Sequence, residues 1–123
     1  MRVGVDLIDV AAFRARFDGR DDLLADTFSA AELEYCRAQP RPWAHLAARF
    51  AAREATLKAL GTGLAGTMAW RDVEVALDPA GAPRLGFHGG TADAVVRAGV
   101  RHSTVSLTHT ETHAIAVVIL FSS

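Results

Sequence analysis

The stretch from Leu46 to Leu60 reads LAARFAAREATLKAL and runs on into Gly61-Thr62-Gly63; no other segment restricts the rest of the chain as strongly. At roughly 100° per residue it is a helix with Trp43, Leu46, Phe50 and Leu57 on one stripe and Ala48, Ala52, Ala55 and Ala59 on the opposite side. No ordinary solvent-facing side remains. Arg49 and Arg53 flank the apolar stripe on one edge and Glu54 and Lys58 on the other, so the charges lie beside packed surface. Such a helix is expected to be covered on both faces. A surface helix with a solvated Glu54–Lys58 pair at i,i+4, worth about 0.3 kcal/mol, is the competing reading of the same residues.

A chain of 123 residues, half of them hydrophobic, can bury one core and not two, so residues 1–123 are expected to form a single domain. With 13 basic and 14 acidic residues the net charge is −1, which gives no long-range pull toward nucleic acid or an anionic membrane, and any basic function must be local. Cys36 is the only cysteine, which leaves no disulfide framework or thiolate metal cluster and suits a small core residue in a reducing cytoplasm. Met1 leads straight into RVGVDLIDV without a signal-like segment, and no run reaches membrane-spanning length; a soluble, cytoplasmic protein is the expectation.

In chain order, Val3, Val5 and Leu7 alternate with Gly4, Asp6 and Ile8 as a strand. A carboxylate inside an apolar strand is costly to bury unless it is paired or holds a cation. Asp9 suits the cap of the next helix, whose Val10, Phe13 and Phe17 follow at helical spacing, and Asp6 is left without a cap to make. Gly19 ends that helix, and a short one is expected over Asp22 to Phe28. Ser29-Ala30-Ala31-Glu32 forms a capping box, which assigns Glu32 to a helix start. Gln39-Pro40-Arg41-Pro42 breaks the chain before the long helix, which starts near Trp43.

After that helix, Gly61, Thr62, Gly63, Gly66 and Thr67 make a loop whose N–H groups are able to approach phosphate oxygens, although a glycine stop at a helix end explains Gly61 equally well. The loop lies at the negative end of the helix, so a cation such as Lys58 has to offset the dipole for an anion to bind there. Asp72 to Leu77 and Arg84 to His88 read as a hairpin turned by Asp78-Pro79-Ala80-Gly81-Ala82-Pro83. Thr91 is expected to cap a helix that stops at Gly99. His102 to His109 and His113 to Phe121 form a last hairpin, whose second strand is apolar on both faces, so both should be buried, one of them against another copy of the chain if not within it. His109 ends the first of these strands. His102, His109 and His113 together lack the fourth ligand or helical spacing of a zinc site.

The ordered set Gly4-Val5-Asp6, Arg49-Phe50-Ala51-Ala52-Arg53-Glu54-Ala55 with Lys58-Ala59, Gly61-Thr62-Gly63 and Ser106-Leu107-Thr108-His109 resembles the small holo-acyl-carrier-protein synthases, which are phosphopantetheinyl transferases. The resemblance covers nearly the whole chain. It implies an α+β fold with a mostly antiparallel sheet packed on a long central helix. It also implies transfer of the 4′-phosphopantetheine arm of coenzyme A to a serine of an apo acyl carrier protein, with release of adenosine 3′,5′-bisphosphate. Asp6 and Glu54 match the Mg²⁺ carboxylates, and two carboxylates plus substrate oxygens and water suit that ion. Glu54, Lys58 and His109 are the catalytic candidates, Glu54 as base. Arg49, Arg53, Lys58, Gly61, Thr62, Gly63 and His109 are candidates for the phosphates, with Pro83 and Arg84 supplied by a neighbouring subunit of a homotrimer.

This chain departs from the family pattern at three positions: Arg53 stands where lysine is usual, Ala12 where a basic residue is common, and Thr110 where some members carry an acid. Arg14 and Arg16 are the alternative docking residues for an acidic carrier protein. A non-catalytic module binding coenzyme A or a carrier protein, a structural oligomer, and another Mg²⁺-dependent phosphotransferase or hydrolase remain open on the sequence alone.

Overall fold

The computed structural model describes residues 1–123. Strand β1 (Arg2–Asp9) is followed by helices α1 (Val10–Phe17), α2 (Asp21–Thr27), α3 (Ala30–Arg37) and α4 (Pro42–Leu60). A single 3₁₀ turn at Trp70–Asp72 leads to the hairpin of β2 (Val73–Leu77) and β3 (Pro83–Phe87), then α5 (Gly89–Arg97), β4 (His102–His109) and β5 (His113–Phe121). The larger sheet has the order β1-β5-β4, all antiparallel, and β2–β3 forms a separate two-stranded sheet. This is the α+β arrangement the sequence predicts, with α4 lying across the three-stranded sheet.

Local chemistry sets most of the boundaries. Asp9 Oδ1 accepts from the Ala12 N–H at 2.9 Å and starts α1. Ser29 and Glu32 make the reciprocal bonds of a capping box at α3. Pro42 sits in the first turn of α4, where its missing N–H costs nothing, and Gly61 stops the helix at φ 77°. One expectation fails. Thr91 lies inside α5, which begins at Gly89, and the carboxylate that holds this first turn is Asp72 Oδ2, which accepts from Thr91 N–H at 3.2 Å and from its hydroxyl at 3.1 Å. A partner 19 residues away in sequence is invisible to local pattern.

The alanine side of α4 faces the sheet. Ala48, Ala52, Ala55 and Ala59 are all buried, together with Ala114, Ala116, Val118 and Leu120 from the inner face of β5. The contact is closest at Gly4, where an added Cβ would lie 1.8 Å from the Ala55 carbonyl oxygen and 2.9 Å from the Ala59 nitrogen. On the other side of α4, Phe50 joins Phe13, Phe17 and Phe28 in an aromatic cluster; Phe13 and Phe50 ring centroids are 5.6 Å apart. Burying each such ring stabilises the fold by about 2 kcal/mol and fixes α1 against α4.

The outer face of the sheet has no cover within the chain. Val3, Val5 and Leu7 on β1 are 63%, 50% and 63% exposed, and Ile119, Val117 and Ile115 stand opposite them on β5. The apolar last strand is therefore buried on one side only. No helix of the chain is long and apolar enough to cross a membrane.

Candidate active site

Strand alternation turns Gly4 and Asp6 toward α4, while Val3, Val5 and Leu7 point outward. Because Gly4 has no side chain, the strand lies against the helix backbone, and Asp6 meets the last turns of α4. Lys58 Nζ donates to Asp6 Oδ1 at 2.8 Å and to the Val5 carbonyl at 3.1 Å. Asp6 is 7% exposed, and its second oxygen, Oδ2, is buried without any partner. Glu54 stands one turn before Lys58 and is half-buried.

The charges perturb one another. Burial pushes the Glu54 carboxyl above its ordinary range, and the Asp6 carboxylate adds to that through its charge and as a hydrogen-bond partner for the protonated form; Lys58 and Arg16 act in the opposite direction. The bond to Asp6 holds the Lys58 ammonium above its usual range. Lys58 thus pairs with Asp6 alone, and Glu54 when protonated is the remaining neighbour able to donate to that carboxylate. No three His, Cys, Asp or Glu side chains converge anywhere in the chain, so a cation here would take its remaining ligands from substrate and water.

Glu54 lies in the wall between two clefts. The larger, of about 520 Å³, is lined by Glu54, Leu57, Lys58, Gly61, Gly63, Leu64 and Trp70. The other, of about 300 Å³, is lined on its polar side by Asp6, Asp9, Arg16 and Glu54, and also by Ala12, Phe13 and Phe50. The negative end of α4 that borders the larger cleft is offset by Lys58 and by Arg2, whose Nη1 donates to the Leu60 carbonyl at 3.1 Å.

The remaining candidates are distributed differently from the expectation. Thr62 is exposed beside the larger cleft, its hydroxyl bonded to the Gly63 carbonyl. Arg53 was expected at the phosphates, but it is fully buried: its guanidinium pairs with Glu32 and donates to the carbonyls of Thr27, Trp70 and Arg49. A side chain with all its donors used inside the core cannot reach a ligand. Arg49 is also off this site. It is 4% exposed, its guanidinium lies 4.7 Å over the Tyr35 ring, and it lines a different depression with Glu32, Tyr35 and Glu74.

His109 is in neither cleft that Glu54 lines. Its ring packs edge-on against His45, with centroids 4.7 Å apart, in a depression with Leu7, Thr108 and His113. Pro83 and Arg84 lie on the separate hairpin, where Arg84 pairs with Asp78 at 3.3 Å. Of the two docking arginines, Arg14 is paired with Asp18 and lies over Trp43, while Arg16 faces the Asp6–Glu54 cleft, one turn along α1 from Ala12. Sequence reasoning missed Trp70, the largest side chain of the main cleft; an aromatic residue closing a glycine-rich loop was the available signal.

Comparison with known proteins places the chain in a family. Residues 2–118 match the family described as the 4′-phosphopantetheinyl transferase superfamily. The chain is 41% identical over 123 residues to the holo-[acyl-carrier-protein] synthase of Moorella thermoacetica, covering all of this chain and 95% of that one. It is 40% identical over 120 residues to the enzyme of the same name from Koribacter versatilis, covering 95% and 94%. Among solved structures, the Mycobacterium tuberculosis acyl carrier protein synthase superposes with a TM-score of 0.76 at 34% identity, covering 99% of this chain and 97% of that one. The Bacillus anthracis holo-(acyl-carrier-protein) synthase in complex with CoA (3′,5′-ADP) does so with a TM-score of 0.80 at 27% identity, covering 99% and 96%. The chain belongs to the 4′-phosphopantetheinyl transferase superfamily.

Proposed function

We infer that this chain is a holo-[acyl-carrier-protein] synthase, transferring the 4′-phosphopantetheine arm of coenzyme A to a serine of an apo acyl carrier protein. The observation that carries the chemistry is the buried, unpartnered Oδ2 of Asp6 beside a Glu54 whose carboxyl is pushed upward by burial and by Asp6 itself. Asp6 thus offers an oxygen that Lys58 does not use, beside a second carboxylate whose charged form burial disfavours. Two carboxylates from a strand and a helix suit Mg²⁺, which Asp6 and Glu54 would hold. When bound, that ion neutralises charge on the pyrophosphate of coenzyme A.

The protein groups divide the remaining work. Lys58, with the N–H groups of Thr62 and Gly63 beside it, faces the larger cleft and binds pyrophosphate there, while the Gly61 N–H is spent on the Leu57 and Lys58 carbonyls. Leu57, Leu64 and Trp70 give the same cleft an apolar wall for the uncharged part of coenzyme A. The carrier serine enters from the second cleft, where Arg16 attracts the acidic carrier. Glu54 touches both clefts and takes the serine proton. The serine oxygen attacks the phosphorus that bears the pantetheine arm, the bond to the bridging oxygen breaks, and adenosine 3′,5′-bisphosphate leaves. In-line displacement requires the serine to approach the phosphorus on the side away from the bridging oxygen.

The open face of Val3, Val5, Leu7, Ile115, Val117 and Ile119 supports a homotrimer, with His109, Pro83 and Arg84 reaching the substrate of a neighbouring copy. The test is one incubation of the protein with coenzyme A, Mg²⁺ and an apo carrier, followed by mass spectrometry of the carrier. A phosphopantetheine adduct that is lost with EDTA is expected. Asp6→Ala and Glu54→Ala should each abolish it. A folded protein that binds coenzyme A yet modifies none of several carriers would end the transferase reading.

A further inference from the structure

Arg53 is the largest fully buried side chain in the protein, and the bonds it makes are unequal in their consequences. Both Nη atoms pair with the Glu32 carboxylate, which also accepts from the N–H groups of Ser29 and of Val75, the latter at 3.1 Å. Nε donates to the Thr27 carbonyl at 3.0 Å and to the Trp70 carbonyl at 2.9 Å, and the guanidinium lies 4.7 Å over the Phe28 ring. Glu32 supplies the counter-charge that lets a guanidinium be buried, while the link to Thr27 and Trp70 is made separately through Nε. A guanidinium is a rigid planar fork, and its Nε–H can point in one direction only.

The bond to Trp70 matters because of what precedes it. From Thr62 to Ala69 the chain hydrogen-bonds only within the loop and to Asp72, so the loop's far end is tied to α4 first at Trp70. Trp70 lines the same cleft as Glu54 and Lys58, with its ring 4.8 Å from Phe50 between centroids. Arg53 immediately precedes Glu54 on α4. The same helical turn therefore carries the carboxylate and the anchor of the Trp70 wall.

We propose that Arg53 is a positioning residue of the active site, fixing the Trp70 wall at a set distance from Glu54 so that the cleft is shaped for the uncharged part of coenzyme A before binding. This rests on the reading of the larger cleft as the coenzyme A site.

The experiment uses a Trp43→Phe background, which leaves Trp70 as the only tryptophan of the two in the chain. Arg53→Lys keeps the charge and removes the fork. In the absence of ligand its Trp70 emission should shift to longer wavelength and quench more readily with acrylamide. KM for coenzyme A should rise about tenfold with kcat within about twofold, the signature of lost substrate positioning in the ground state. Glu32→Gln keeps the Arg53–Trp70 bond and should lower thermal stability without moving KM. If Arg53→Lys does not fold, Trp70→Ala carries the test, and a parental KM in that variant overturns the proposal. Parental emission and KM in a folded Arg53→Lys, or an equal rise in KM from Glu32→Gln, overturns it as well. A parental protein whose Trp70 emission ignores coenzyme A overturns the substrate assignment instead, since the unliganded emission tests the clamp by itself.

Discussion

Gly4→Ala adds one methyl group to the chain and should disable it. The new Cβ would lie 1.8 Å from the Ala55 carbonyl oxygen, 2.8 Å from its carbon and 2.9 Å from the Ala59 nitrogen. All three obstacles are backbone atoms of the longest helix, so no rotamer change relieves the clash. Strand and helix must separate by about 1.5 Å to restore ordinary contact. Overpacking a rigid site costs typically 1–3 kcal/mol, and about 3 kcal/mol or more is expected here because nothing can yield. The reduced freedom of alanine in the unfolded chain offsets less than about 1 kcal/mol of this. For a domain of this size, Tm should fall by about 10 °C. The same movement carries Asp6, two residues along the same face, away from Glu54 and Lys58. Activity should therefore fall about a hundredfold even well below Tm, since a misplacement near 1 Å is enough for that. The assays are thermal unfolding followed by circular dichroism and carrier modification measured at a temperature where both proteins are folded. A Gly4→Ala protein with parental Tm and activity would refute the close-packed placement of β1 on α4 and the geometric origin of the site.

Glu32→Gln leaves Arg53 buried without its counter-charge, and unfolding by denaturant should show a loss of about 3–5 kcal/mol with an unchanged m-value. Glu54→Gln should inactivate the protein yet raise the Tm of the metal-free form at neutral pH. Because the folded-state pKa of Glu54 lies above its unfolded value, its ionisation destabilises the native state; the gain should be present at neutral pH and vanish as pH falls below about 4.5. Val5→Asp places a charge on the open sheet face, and size-exclusion with light scattering should report a monomer whose activity is lost if neighbouring copies complete the site. Arg16→Glu should raise KM for the carrier about tenfold with KM for coenzyme A unchanged, and the reverse pattern would move Arg16 to the nucleotide side.

The elements were legible wherever a local signal sets them. The Asp9 cap, the Ser29–Glu32 box, the glycine stop at Gly61 and both hairpins follow from sequence spacing and are present in the fold. Asp6 stands out because a carboxylate inside an apolar strand needs a reason, whereas Glu54 enters through the family resemblance. The role of Arg53 was not, because a lone helical wheel shows an arginine beside an apolar stripe and cannot show Glu32 arriving from another helix. His109, Pro83 and Arg84 lie outside the two clefts that Glu54 lines, and nothing in their local sequence pattern shows that distance. Thr91 was misassigned because its helix is held by Asp72, across the hairpin.

The alanine side of α4 also limits how a chain of this kind can change over time. Ala52 and Ala55 are fully buried and Ala48 and Ala59 nearly so, with Gly4 touching the helix backbone between them. At these positions the property under selection is smallness, and each tolerates glycine, alanine or serine at most. The freedom to vary is displaced onto exposed positions such as 12 and 16 on α1, where a basic group can be gained, lost or moved by a helical turn. Change is therefore steered to the exposed side of α1, while the spacing that sets Asp6 beside Glu54 and Lys58 stays fixed.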